Sequence, residues 1–297
     1  MGEIRDTVLT PAGRSPARVF MDMIKFEHTV FALPFAYLGY FLGSEGRVVW
    51  SGLLWVTAAM VGARTAGMCL NRLIDREIDA RNPRTKNWAL VTGAVRPGTA
   101  WAAAAAGLAV LFVSAASLNR FCLLLSPVAF ILLFFYPYLK RITVYSHLGI
   151  GLVLACAPLG GWAAARGGLG GEAFLLAAAV LFWVAGFDIY YSLQDEIFDR
   201  GAGLKSIPAR WGGAAAVRIA QAFHFLTLIF LSVLGIMMSL NWIYWTGLIA
   251  AAGILTAEYV LMRKLDLKNV GPAFFTLNGV LSSGFFLVTV GSVVTSR

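Results

Sequence analysis

Nine long apolar runs, separated by short polar stretches, leave this chain almost no way to fold except as a helical bundle in a membrane. They cover 27–43, 49–72, 98–117, 121–139, 147–165, 172–194, 214–239, 242–262 and 273–294. A helix crosses the hydrocarbon in roughly 20 residues, and these runs are too long and continuous for strands. Of the 297 residues, 59% are hydrophobic and only 13% are charged, too little charge to cover a soluble surface. The expected fold is all-α, with about nine transmembrane helices surrounding a central cavity. Pro34, Pro127 and Pro158 fall inside runs, where neighbouring helices satisfy the freed carbonyls. No polar block is long enough for a soluble domain. Residues 1–24 therefore read as a cytoplasmic N-terminal segment and 25–297 as a single polytopic membrane domain. The N-terminal segment has no apolar stretch ahead of a cleavage site, so no signal peptide is expected.

Basic residues give the orientation, because cytoplasmic loops retain Lys and Arg. If connections are taken alternately, one set carries nineteen of the 24 basic residues, among them Arg18, Lys25, Arg72, Arg84, Lys140, Arg141, Arg200, Lys205 and Arg263. The other set holds Arg47, Arg120, Arg166 and Arg297. The N-terminus is expected in the cytoplasm and the C-terminus across the inner (cytoplasmic) membrane, with motif loops after spans 2 and 6 on the cytoplasmic side. The net charge of +9 mostly follows from this bias. The cations sit on short membrane loops, so the expected partner is the lipid bilayer and not a nucleic acid. Cys69, Cys122 and Cys156 have no metal-binding spacing and read as small apolar residues.

Acidic residues are scarce, and seven of the fifteen fall in two places. Asp75, Glu77 and Asp79 follow span two; Asp188, Asp195, Glu196 and Asp199 end or follow span six. Carboxylates beside hydrocarbon are costly and usually mark function. Asn71, Asp75 and Asp79 recur every four residues, which puts them on one helical stripe about 6 Å apart. Asp188, Tyr191, Asp195 and Asp199 share a face in the same way. Two such stripes at one membrane surface can converge across a cavity. Their hard oxygen ligands suit Mg²⁺, with diphosphate oxygens completing its shell. Cations accompany each stripe, and a planar guanidinium binds phosphate oxygens in pairs.

Each feature also has a plain explanation. Arg and Lys beside the membrane serve topology. Asp75 and Arg72 can form a surface pair. His28, beside Glu27, suits the interface, and Arg64 snorkels or faces inward. Glu258 can pair with Arg263 or Lys264, Asn278 with another helix, and Trp242, Tyr244 and Trp245 read as an interfacial belt. A cation or small-molecule transporter is the competing functional class, but it would place acids near the midplane on broken helices. A membrane scaffold leaves the twin spacing unexplained.

At these residues the chain resembles the UbiA superfamily of intramembrane prenyltransferases. That family's first motif, N-D-x-x-D-x-x-x-D, is matched by Asn71-Arg72-x-x-Asp75-x-x-x-Asp79, and its second by Tyr191-x-x-x-Asp195-x-x-x-Asp199. The stretches Tyr136-Pro137-Tyr138-Leu139-Lys140-Arg141 and Gly203 to Pro208 also fit, and the resemblance covers nearly the whole chain. Within the superfamily the chain looks most like the 4-hydroxybenzoate polyprenyltransferase group. Lys25 to Pro34 and Ser206 to Arg210 resemble the branch of bacteria that make menaquinone through futalosine. There are two departures. Arg72 stands where many members have Asp, and Trp88-Ala89 follows Arg84-Thr85-Lys86-Asn87 where a second Arg is usual.

The resemblance implies transfer of a polyprenyl group from polyprenyl diphosphate to an aromatic acid acceptor in quinone (ubiquinone or menaquinone) biosynthesis. It implies Mg²⁺ held by Asn71, Asp75, Asp79, Asp195 and Asp199, with Asp75 and Asp195 catalytic. Arg72, Arg84, Lys140 and Lys205 are expected on the diphosphate, with Lys86 as a substitute for the missing Arg. Lys25, Asp188 and Tyr191 are expected to line the substrate pocket. Asp195 is the first choice to take the phenol's proton.

Overall fold

The computed structural model describes residues 15–25, 29–264 and 270–296, and within them the apolar runs are helical. In chain order the helices are α1 (Pro16–Met23), α2 (Thr29–Gly43), α3 (Trp50–Ile74), α4 (Arg76–Arg81) and α5 (Pro97–Leu118). Next come α6 (Arg120–Phe135), α7 (Leu139–Ile142), α8 (Ser146–Arg166), α9 (Gly171–Ser192) and α10 (Glu196–Gly201). The chain ends with α11 (Ile207–Trp211), α12 (Gly213–Met237), α13 (Trp242–Lys264) and α14 (Val270–Thr295). Among the described residues eight helices are long and apolar enough to cross a bilayer, and α2 adds a shorter apolar stretch over Ala32–Gly43. The chain is a multi-pass membrane protein. The expected start of span one, with Glu27 and His28, lies outside the described residues, as do residues 1–14 of the N-terminal segment.

Two spans end differently from expectation. The fourth is helical only to Phe135, then tightens into a 3₁₀ turn over Tyr136–Tyr138 before α7. Pro137, which has no N–H to donate, occupies that turn. The sixth stops at Ser192 and gives a 3₁₀ turn over Leu193–Asp195. A further helix, α1, forms inside the N-terminal segment. Its N-cap Ser15 accepts from the Arg18 N–H and Pro16 occupies its first turn. Val19 and Met23 on its inner face pack against Cys69, Leu70 and Leu90.

Successive spanning helices touch one another, and α14 returns to α2, which closes a ring; α2 also packs along α8. Lipid is as apolar as a Leu side chain, so helices associate through close backbone approach at small residues. Between α3 and α5, a Cβ placed on Gly107 would lie 2.7 Å from the Gly62 carbonyl oxygen. Between α2 and α8, a Cβ on Gly39 would strike the Pro158 backbone.

Two expected surface features are interior. Tyr244 is fully buried, and its hydroxyl donates to the Leu231 carbonyl at 2.7 Å, whereas Trp242 is 72% exposed as an interfacial residue should be. The side chains of Arg263 and Lys264, the expected partners of Glu258, lie outside the described residues. Glu258 is wholly buried and accepts from Asn278 Nδ2 at 2.6 Å, with His224 Nδ1 4.0 Å away. A carboxylate in hydrocarbon takes the donor that the neighbouring helix offers. Asn278 thus bonds another helix, as expected.

Candidate active site

The two acidic stretches interrupt their helices in the same way. Asp75 stands between α3 and α4 at φ −93°, ψ 2°, and Asp195 stands before α10 at φ −103°, ψ 1°. Both lie in the sparsely populated bridge region, where many active-site residues sit. The first stripe nevertheless keeps its register. The Asp75 N–H donates to the Asn71 carbonyl at 3.0 Å and the Asp79 N–H to the Asp75 carbonyl at 2.8 Å. In the second stretch the single helical face expected from Asp188 to Asp199 is broken after Ser192.

Cations from elsewhere in the chain hold these acids. Asp75, 3% exposed, has Lys140 Nζ 2.6 Å from Oδ2 and an Arg141 guanidinium nitrogen 3.0 Å from Oδ1. Asn71 Nδ2 donates to Oδ2 at 3.4 Å. Arg141 also donates to the Ile74 carbonyl at 2.9 Å, at the negative end of α3. The ion pair with Arg72 does not form: Lys140 and Arg141 take Asp75, and Arg72 stays within electrostatic reach of Asp79 and Asp75 without pairing to Asp75. Its guanidinium carbon is 3.5 Å from the centre of the Trp88 ring.

The loop after the first stripe crosses to the second. Arg84 grips Asp195 with Nε at 2.9 Å and a terminal nitrogen at 2.5 Å, and Asn82 Nδ2 donates to the same carboxylate at 2.9 Å. Burial alone would lower the Arg84 guanidinium; its bond to Asp195 outweighs that and holds it above its ordinary value. The Asn82 side chain accepts from the Arg84 N–H at 2.9 Å, and Thr85 Oγ1 donates to the Asp79 carbonyl at 2.9 Å, so the loop is tied down beneath its own motif. Burial pushes the Asp79 carboxyl up, opposed by Arg72 and Lys140.

Asp199 lies within electrostatic reach of Asp195, Lys140 and His147. The structure therefore gathers Asn71, Asp75, Asp79, Asp195, Asp199, Arg84 and Lys140 at one place. Lys205 is nearby but engaged differently: its backbone N–H donates to the Lys140 carbonyl at 2.7 Å and its Nζ to the Ile142 carbonyl at 2.9 Å. Tyr191 is 38% exposed, with its ring centre 6.0 Å from the Arg84 guanidinium. Lys86 is exposed. Lys25, in the left-handed region at φ 51°, lines a cavity of about 220 Å³ with Arg72, Asp22, Asn87 and Trp88. Asp188 receives His147 Nδ1 at 2.7 Å.

Sequence reasoning passed over Asn82, His147 and the role of Trp88 as a platform. The signal for His147 was its place at the start of span five, on the same membrane surface as the acids. Nothing in the spacing announced Asn82. Among the described residues no three His, Cys, Asp or Glu side chains form a ready-made metal cage. Paired carboxylates with an amide oxygen still fit a hard divalent cation that shares its shell with water and phosphate, since such an ion needs only one or two carboxylates.

A family model described as the UbiA prenyltransferase family matches residues 32–280. The 4-hydroxybenzoate octaprenyltransferase of Pseudomonas putida (strain GB-1) is 32% identical over 233 residues, 78% of each chain. Its counterpart from Aliivibrio fischeri (strain MJ11) is 27% identical over 254 residues, covering 86% of this chain and 88% of that one. The apo structure of a UbiA homologue from Aeropyrum pernix K1 superposes with a TM-score of 0.80 at 37% identity, covering 91% of this chain and 98% of that one. A UbiA homologue from Archaeoglobus fulgidus, solved bound to GPP and Mg²⁺, shares the fold at a TM-score of 0.71 and 20% identity, covering 93% and 99%.

Proposed function

Since this chain belongs to the UbiA prenyltransferase family, we propose that it transfers a polyprenyl group from polyprenyl diphosphate to a hydroxybenzoate-type aromatic acid in quinone (ubiquinone or menaquinone) biosynthesis. The acceptor class is supported by the relatives named 4-hydroxybenzoate octaprenyltransferase. The observation that carries the reading is the meeting of the two acidic motifs, with Arg84 of the first motif's loop on Asp195 of the second.

Asn71, Asp75, Asp79, Asp195 and Asp199 would hold Mg²⁺; the Archaeoglobus fulgidus homologue, which shares the fold, was solved bound to GPP and Mg²⁺. When bound, that ion supplies Lewis-acid neutralisation of the departing diphosphate. The chain's own cations do the rest. Lys140 and Arg84 pair with the carboxylates and would also meet diphosphate oxygens, Arg84 in paired contact. Arg72 and Lys205 complete the cationic rim. Lys25 and Tyr191 border the substrate. The C–O bond loosens to an allylic cation inside an apolar, water-poor surround that prevents its hydrolysis. The ring carbon beside the phenolic oxygen then attacks.

The bias of basic residues supports a cytoplasmic N-terminus and chemistry at the inner face of the cytoplasmic membrane. Residues 25–297 work there as one membrane domain, and the isoprenoid tail extends into lipid. The test is direct: purified protein, Mg²⁺, a short-chain prenyl diphosphate and 4-hydroxybenzoate should yield a prenylated acid by mass spectrometry. If Asp75→Ala and Asp195→Ala membranes retain the wild-type rate, the site assignment is wrong.

A further inference from the structure

The acids at this site differ in what holds them. Asp195 has both oxygens taken by a guanidinium and an amide, and Asp75 carries two cations. Both are compensated by cations, which makes them poorer proton acceptors for a phenol. Asp188 is bound instead by an imidazole, at 2.7 Å, with its side chain 31% exposed. It lies seven residues before Asp195, hence about 10 Å deeper along the helix direction. Tyr136 is an electrostatic neighbour of both Asp188 and Asp75, so Asp188 stands within reach of the same group of acids.

The second nitrogen of that imidazole settles its proton. The Ile207 backbone N–H donates to His147 Nε2 at 3.4 Å. This N–H belongs to the first turn of α11, where helix N–H groups lack partners within the helix. Nε2 must therefore carry its lone pair, and the proton sits on Nδ1, aimed at Asp188. A buried, neutral imidazole fixes the carboxylate's direction without cancelling its charge. Asp188 is thus a positioned, partly exposed carboxylate held by a ring nitrogen and not by a Lys or Arg cation.

We infer that Asp188 accepts the phenolic proton of the aromatic acceptor, and that His147 is the positioning residue which holds it to that task. This inference rests on the function proposed above. As the prenyl C–O bond breaks, its electron pair leaves with diphosphate. The new C–C bond takes a ring π pair, and the phenolic O–H proton passes to Asp188, leaving a neutral ring ketone. That ketone loses its ring proton to the released diphosphate and regains the proton held by Asp188 at oxygen. The phenol is restored, and one proton departs with diphosphate.

The test uses the full-length protein in lipid nanodiscs with a short-chain prenyl diphosphate, Mg²⁺ and two acceptors, 4-hydroxybenzoate and its more acidic 3-fluoro analogue. Asp188→Asn should lower kcat about 100-fold and His147→Phe about tenfold, with KM for the prenyl diphosphate unchanged. His147→Asn, whose amide still donates toward Asp188, should recover most of the loss. The ratio of variant to wild-type rate should rise with the fluorinated acceptor, which needs less help to lose its proton. Loss that is equal for both acceptors and unrelieved by His147→Asn would mean a merely structural role and overturn the inference. So would Asp188→Asn at the wild-type rate. A wild type that prenylates neither acid overturns instead the function on which the inference rests.

Discussion

Arg84, which follows the first acidic motif, closes a two-toothed ion pair on Asp195 of the second, 111 residues further along the chain. This contact makes one site of two motifs. Asp75 and Asp195 each rest on a cation brought from another part of the chain. An uncompensated carboxylate at this depth would be strongly destabilising.

Replacing Arg84 should therefore lower stability as well as activity. Arg84→Ala leaves Asp195 with Asn82 alone and should cost about 1–3 kcal/mol, read as a lower unfolding midpoint in detergent. Arg84→Lys keeps the charge but not the fork, so stability should largely return while KM for the prenyl diphosphate stays raised.

Metal and substrate should stabilise together. Prenyl diphosphate with Mg²⁺ at about 100 times its Kd should add about 2.7 kcal/mol to stability. Neither ligand alone should approach that value, and EDTA should abolish both the shift and turnover until Mg²⁺ is restored. In Asp75→Ala the shift should vanish, because Lys140 and Arg141 lose the carboxylate that orients them.

Arg72 and Trp88, the two positions at which the sequence departs from the family pattern, face each other at 3.5 Å. A stacked guanidinium contributes about 0.5–2 kcal/mol. A double-mutant cycle with Arg72→Ala and Trp88→Ala, followed by KM for the prenyl diphosphate, should show coupling of that size. Strict additivity would mean that the ring does not hold the cation.

Helix packing gives a prediction independent of chemistry. Gly107→Leu should prevent stable assembly, since a side chain there meets the α3 backbone, whereas Gly253→Leu has open space around its Cβ and should leave yield unchanged. Size-exclusion profiles of the two variants separate them.

Much of the site was readable because helical periodicity is local. The four-residue spacing of Asn71, Asp75 and Asp79 survives in the structure although a helix break falls at Asp75, because the i→i−4 bonds run through it. What spacing could not reveal was partnership. Arg72 looked like a partner for Asp75 and its guanidinium lies over Trp88; Glu258 bonds Asn278 on the next helix, which no spacing announced. His147 carried no motif at all and became visible only when α8, α9 and α11 met.

By itself the sequence determined the membrane class, the helical segments and the oxygen-rich faces, because hydropathy and helical period act over a few turns of chain. Only the tertiary structure decided which cation compensates which acid, that Arg84 and Asn82 meet on Asp195, and that Asp188 rests on an imidazole. Those choices depend on distances between segments far apart in the chain. In a low-dielectric interior, an ångström of approach between charges decides the pairing.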